Sequence, residues 1–382
     1  MREELSKSSR DQILRRLNEE RLPFPRFAFA REEEGTGMRE LGRGSFGITY
    51  VGEGRDSLSG LTRAVKVLGF QQEIDPAEIP KIKREIELQI RLFSRCGRYI
   101  VNIFDAGSLY VRLDEDGSLL KIVDPAGADI EWKEDYRYLQ FISMEKLEPV
   151  LRGHSQDPQL TIDALRSSDE DEVIKFALHI GSALEAAHQE NILHRDIKLE
   201  NIFYSESTDS YKLGDFGLAK LAEGGTTKSR VGTGPYQAPE VDNVHRYDQR
   251  ADIYSFGITL YRLLNELNFP GSGPLKFSRD VKYNRDSPLP EPAHGSDRLK
   301  RIVSRACSFR PEERYQTMTE LLDALRTVDA TSRPEPEEIL ISRYEASEKK
   351  AEPEETLSVG TGGAEEEGRE QELLKHLQTY EQ

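Results

Sequence analysis

The order of strand-like and helix-like stretches predicts an α+β protein in two lobes, a smaller β-rich one ahead of a larger, mainly helical one. Two observations carry this. Strand-like stretches, MRELGRGSFGITYVGEG and LTRAVKVLGF, come first, followed by one helical stretch and more strands. The later chain turns to helical patterning, with VIKFALHIGSALEAAH and the nearly all-apolar ADIYSFGITLYRLL, a helix expected to be buried. A length of 382 residues supplies a sizeable core.

In chain order, residues 1–37 read as an N-terminal extension. Residues 2–22 have helical character, with Ile13, Leu14 and Leu17 on one face, and Pro23 and Pro25 stop the helix. The following PFPRFAFA alternates Phe27 and Phe29 with small residues, as an extended segment pinned against a domain would. Residues 38–147 form the β-rich lobe and residues 148–328 the helical lobe. Residues 329–382 are rich in Glu, Pro, Gly and Ser and read as an acidic, disordered tail. No repeat of 20–50 residues interrupts this order.

Composition narrows the function classes. Lys and Arg total 53 against 69 Asp and Glu, a net charge of −16, of which the stretch from Asp329 carries −9 (6 basic against 15 acidic residues). Nothing resembles the basic stripe that drives nucleic-acid binding. No apolar run of about 18 residues suggests a membrane span, and MREELSKSSR lacks the apolar core of a secretory signal. Cys96 and Cys307 cannot build a disulfide framework or a four-cysteine zinc site, so a reducing cytoplasm is the expected compartment.

Five motifs carry chemistry. Gly42-Arg43-Gly44-Ser45-Phe46-Gly47 runs from strand to strand and permits a tight turn whose N–H groups can approach phosphate oxygens. Lys66 lies in the strand RAVKVL, sharing a face with Ala64 and Leu68. The helix KIKREIELQIRLF offers Glu85 as its partner, Glu87 falling about 200° around the helix. His194-Arg195-Asp196-Ile197-Lys198-Leu199-Glu200-Asn201 gathers a proton acceptor, a cation and a metal ligand in one loop, the set that phosphoryl transfer to an alcohol requires. Asp215-Phe216-Gly217 supplies a carboxylate able to bind Mg²⁺ and a glycine for a sharp turn. Ala238-Pro239-Glu240 closes the segment begun at Asp215, and Arg314 is a candidate partner for Glu240.

In this order and context the motifs resemble the eukaryotic-type (Hanks-type) Ser/Thr protein kinase family over roughly residues 38–328. The resemblance implies a bilobal protein-kinase-like fold. It implies transfer of the γ-phosphate of Mg-ATP to Ser/Thr hydroxyls of protein substrates, with autophosphorylation. Gly42, Gly44 and Gly47 would cover the ATP phosphates. Lys66, paired with Glu85, would contact the α- and β-phosphates. Thr49, where the family has Val, and Ala64 would meet the nucleotide, and Met144, Glu145, Lys146 and Leu147 would form the gatekeeper and hinge that hold adenine. Asp196 would be the catalytic base, Lys198 would steady the γ-phosphate, and Asn201 and Asp215 would hold Mg²⁺. Lys198 is the Ser/Thr kinase pattern, and Thr233 matches the position that seats the substrate. Arg195 would pair with a phosphate on Thr226, Thr227 or Ser229.

Two departures and two insertions stand out. Gln89, four residues after Glu85, occupies a position that the family fills with an apolar residue, and its amide must find a partner or destabilise the helix. A hairpin turning at Asp116-Gly117 lengthens the region 105–140, which, like the N-terminal extension, is a candidate docking site. A second insertion follows the hinge. A nucleotide-binding scaffold without turnover, a pseudokinase, is the alternative from another functional class. A small-molecule kinase is disfavoured by Thr233 and Ala238–Glu240.

Overall fold

The computed structural model describes residues 4–33, 35, 37–44, 47–123, 136–152, 159–166, 169–216, 236–242, 248–267 and 289–329. Thr226, Thr227, Ser229 and Thr233, like the acidic tail, lie outside them.

Chain entry is helical. Helix α1 (Lys7–Glu20) is capped by Ser6, whose hydroxyl accepts from the N–H of Ser9, and it ends at Arg21 in the left-handed conformation (φ 58°). Strands β1 (Phe27–Phe29), β2 (Glu40–Arg43), β3 (Gly47–Gly54) and β4 (Thr62–Leu68) follow, then helix α2 (Ile79–Cys96), then β5 (Ile103–Leu113), β6 (Leu119–Val123) and β7 (Tyr136–Glu145). The seven strands make one antiparallel sheet ordered β1-β3-β4-β7-β5-β6, with β2 also on β3. Asp114 shapes the β5–β6 turn: its Oδ1 accepts from Asp116 N at 3.1 Å and Ser118 N at 2.7 Å, and Gly117 takes the left-handed φ of 79° that the turn requires.

Alternation along the strands gives the sheet two apolar faces, and each is covered. Helix α2 lays Ile82, Ile86 and Ile90 against Leu68, Ile103 and Ile142. On the opposite face, Ile13, Leu14 and Leu17 of α1, all 0% exposed, pack with Phe29, Ile48, Val65, Val67 and Phe141. The helix expected before Pro23 is therefore part of the lobe's core.

Lys146 and Leu147 link β7 to β8 (Glu148–Pro149), which belongs to a different sheet ordered β12-β11-β8. Strands β9 (Leu151–Arg152) and β10 (Gln159–Leu160) pair with each other ahead of helices α3 (Asp163–Arg166) and α4 (Glu170–Gln189). Then come β11 (Ile202–Ser205), β12 (Ser210–Leu213), α5 (Arg250–Leu263), α6 (Asp297–Ala306) and α7 (Met318–Asp329). Helix α5 is buried along its length, as its apolar circumference predicts. The two lobes share backbone hydrogen bonds, Val101 N donating to Leu213 O and Leu213 N to Tyr99 O.

Leu14→Ala is expected to lower the unfolding free energy by roughly 2–5 kcal/mol, read by urea denaturation of the full chain. A loss below about 0.5 kcal/mol would contradict the packing of α1.

Candidate active site

The loop His194–Asn201 is held from beneath by one buried carboxylate. Asp252 of α5 accepts from Arg195 N at 2.9 Å with Oδ1, and from His194 N at 2.8 Å and His188 Nε2 at 2.9 Å with Oδ2. Burial alone would raise its pKa, but the His188 bond, the nearby imidazoles and the Arg195 N–H hold it below the ordinary carboxylate range. This anchoring lets Arg195, a non-glycine residue, sit at φ 67°. His194 accepts from Asp196 N through Nδ1 (3.3 Å) and donates through Nε2 to Gly214 O (2.9 Å), which assigns the neutral tautomer. Burial pushes its pKa down, in keeping with that assignment. Its ring meets Phe216 edge-on at 4.7 Å, so the catalytic-loop candidate and the Asp215-Phe216 segment pack as one unit.

Above this loop the expected groups converge. Asn201 donates Nδ2 to both the backbone oxygen and Oδ2 of Asp196, each at 2.8 Å, and Lys198 Nζ lies 2.8 Å from the same Oδ2. With Nδ2 committed, the amide oxygen is the atom Asn201 can offer a metal. Lys66, projecting from β4 between Thr49 of β3 and Ile142 of β7, pairs with Asp215 at 2.7 Å. Burial would raise the pKa of Asp215, but Lys66, by its charge and its hydrogen bond, and Lys198 hold it low, so its carboxylate is ionised and able to take a divalent cation.

The expected Lys66–Glu85 pair is replaced by Lys66–Asp215. Glu85 Oε2 is buried without a hydrogen-bond partner. Burial pushes its carboxyl up to about 7, against the opposing field of Arg195. The reason is competition for one cation: Asp215 sits closer to Lys66 and carries the lower pKa. Gln89, the departure on α2, finds an internal partner, donating Nε2 to Val101 O at 3.0 Å.

Around this centre the remaining candidates fall into two groups. Ala64 is registered against Met144, and Lys146–Leu147 is the inter-lobe connection, where a hinge was expected. A Cβ at Gly42 would meet nothing within 4 Å and one at Gly44 only Gly47 O at 3.9 Å, so both face open space. At Gly47 a Cβ would meet Val67 O at 2.7 Å, which demands glycine. Donor chemistry fits magnesium, whose oxygen coordination one Asp, one Asn and phosphate groups would supply, and the open surroundings of Gly42 and Gly44 leave room for phosphates at the turn. Among the described residues no cluster of three or more His, Cys, Asp or Glu could hold a metal. Arg314, 0% exposed, forks onto Glu240 at 2.7 and 2.8 Å, as the sequence suggested.

Sequence reasoning missed two supporting groups, His188 and Lys212, and the role of a third. Asp252 was visible as a charge on a buried helix, but its acceptor role joins residues 57 to 64 positions apart. His188 shares that separation. Lys212, 6% exposed, donates to both oxygens of Glu145 at 2.8 Å, and Glu145 also accepts from Asn102 N at 2.7 Å. A lysine inside the apolar strand YKL was the available signal.

Glu85 retains its proton more tightly in the folded state than the ordinary value of 4.5 allows. Its burial therefore costs stability progressively as pH rises from about 4.5 to about 7 and fully above that. Glu85→Gln is expected to lose less melting temperature between pH 5 and pH 8 than the wild type. Parallel melting curves for the two would show that Glu85 is not buried unpaired.

Comparison with known proteins agrees with the geometry. A family model described as the protein kinase domain matches residues 36–344. The chain is 28% identical over 296 residues to a probable serine/threonine-protein kinase of Clostridium acetobutylicum, covering 76% of this chain and 39% of that protein. It is 31% identical over 315 residues to the serine/threonine-protein kinase PknB of Mycobacterium tuberculosis, covering 79% and 44% respectively. A probable myosin light chain kinase of Dictyostelium discoideum is 28% identical over 282 residues, covering 72% and 62%. The chain thus spans about two fifths of the length of the first two relatives.

Proposed function

The chain belongs to the protein kinase family, and from that premise we propose that it is an ATP-dependent serine/threonine protein kinase. The single observation that carries this reading is the hydrogen-bonded group of Asp196, Lys198 and Asn201 together with the Lys66–Asp215 pair, Asp215 lying in the field of Lys198. Phosphoryl transfer asks little covalent chemistry of a protein, so these charges act by positioning and by stabilising the transition state.

Each residue then has a defined task. Asp196 accepts the proton of the attacking Ser or Thr hydroxyl, its carboxylate oriented by Asn201 Nδ2 and kept close to Lys198. Lys198 faces the transferred phosphoryl group. Asn201 and Asp215 would hold magnesium, which when bound supplies charge neutralisation at the β- and γ-phosphates. Gly42, Gly44 and Gly47 cover the phosphates, Thr49 and Ala64 enclose the adenine, and the backbone of Met144–Leu147 hydrogen-bonds it. For Lys66 to reach the α- and β-phosphates it must leave Asp215, and Glu85, whose Oε2 is buried without a hydrogen-bond partner, is the carboxylate that would receive it. The described arrangement is then a resting one, and turnover requires this exchange.

Regulation follows the same electrostatics. Arg195 lies within the field of Glu85, and a phosphate on Thr226, Thr227 or Ser229 would draw it away while giving it charge-assisted bonds. Thr233 would seat the substrate hydroxyl. The substrates are proteins. Among the described residues no helix is long and apolar enough to cross a membrane. The reducing, ATP-supplied cytoplasm suits the free thiols of Cys96 and Cys307.

Asp196→Asn is expected to reduce phosphate transfer from Mg-ATP to a generic protein substrate at least about a hundredfold, while AMP-PNP still binds. Phosphoamino-acid analysis of the wild-type product is expected to yield phosphoserine and phosphothreonine. Nucleotide binding with no transfer by the wild-type chain would instead favour the scaffold alternative.

A further inference from the structure

Residues 4–33 precede the stretch that the kinase family accounts for, which begins at residue 36. They nevertheless hold the strand that leads into the glycine-rich turn. Strand β2 hydrogen-bonds only to β3 among the described strands, and its side chains are largely exposed. A strand so placed has little of its own to fix it. The start of the N-terminal extension supplies three attachments in succession. Asp11 Oδ1 accepts from the backbone N–H of Met38, just ahead of β2, at 3.1 Å. Arg10, 3% exposed, faces Glu40 of β2 at 3.8 Å and pairs with Glu4 at 3.0 Å. Glu4 in turn accepts from Arg43 at 3.2 Å, and Arg43 is forked onto Glu40 at 2.9 and 3.0 Å. Arg43 lies between Gly42 and Gly44.

The four charges alternate, Arg10 and Arg43 being bridged on both sides by Glu4 and Glu40, so the network ties α1 to the turn without net charge. Helix α1 is itself immobilised, with Ile13, Leu14 and Leu17 in the sheet core and Leu5 N donating to Phe70 O. A rigid helix gripping an otherwise loosely held strand sets where that strand's end stands.

We propose that Glu4, Arg10 and Asp11 are positioning residues for the phosphate-covering turn, so that the N-terminal extension sets the affinity for the nucleotide's phosphates. This deepens the kinase reading and rests on it. The contribution falls chiefly on the phosphates: adenine would be held mainly by Ala64 of β4, by β7 and by the inter-lobe connection, and of its proposed neighbours only Thr49, paired with Gly42, adjoins β2.

The test uses the full chain and isothermal titration with Mg-AMP-PNP and, separately, adenosine. Glu4→Lys places a cation beside Arg10 and Arg43, and Asp11→Ala removes the acceptor for Met38, whereas Asp11→Asn keeps that oxygen. The first two are expected to weaken AMP-PNP binding roughly three- to fivefold and to leave adenosine binding unchanged, with Asp11→Asn restoring wild-type affinity. In the transfer assay the change is expected in KM for ATP rather than in kcat. Two outcomes overturn the proposal while sparing the kinase reading: unchanged AMP-PNP affinity in both variants, or equal weakening of AMP-PNP and adenosine, the signature of a merely structural role. A wild-type chain that binds neither ligand would overturn the kinase reading itself.

Discussion

The carboxylate of Asp252 is the constraint on which the site depends. It lies 2% exposed in the helical lobe and satisfies two consecutive backbone N–H groups of the catalytic-loop candidate together with His188. Without it, Arg195 would have no compensation for its left-handed backbone, and Asp196 would not be turned toward Asn201 and Lys198. A buried charge whose partners are removed costs about 3–5 kcal/mol, so the loop and α5 stand or fall together. The neutral His194 continues the chain of support to Gly214 and Phe216, and so fixes Asp215 relative to Asp196.

Above that fixed floor, one cation is shared between two possible carboxylates. Lys66 is 2.7 Å from Asp215, and half-buried Glu85 is left with its Oε2 unpartnered, its acid form favoured by desolvation. Whatever neutralises Asp215 frees Lys66, and a divalent cation bound there would do so. Lys212, Glu145 and Asn102 tie the two lobes together through a single carboxylate. On the opposite face of the β-rich lobe, α1 adds a second restraint, this one on β2.

Much of this was legible in the sequence because it depends on local spacing. The strand-turn-strand around Gly42–Gly47, the alternating face that places Lys66 and the loop from His194 to Asn201 each form from neighbours in the chain. The amphipathic stripe of Ile13, Leu14 and Leu17 was likewise visible, although what it covered was not. The family resemblance linked these pieces, and the Arg314–Glu240 pair was already a candidate from the motifs themselves. Partnerships set by tertiary approach were not legible. The choice of Lys66 between Asp215 and Glu85 is made by which carboxylate the fold brings to it, and the reach of Asp252 and of Lys212 spans more than 50 residues. Gln89 shows the same limit in reverse: a residue that read as a liability is satisfied by the backbone oxygen of Val101, a partner no spacing rule identifies.

The central claim is spatial: Asn201 and Asp215 bind the metal of a nucleotide whose phosphates Lys66 holds, within reach of Asp196. A crystal structure of the chain with AMP-PNP and Mn²⁺, the metal located by its anomalous signal, tests it most directly. The account predicts manganese on Asn201 Oδ1 and the Asp215 carboxylate, with Lys66 Nζ moved from Asp215 to the phosphates. Manganese bound elsewhere, or a nucleotide lying outside the cleft between β3, β4 and the loop of Asp196, would contradict it.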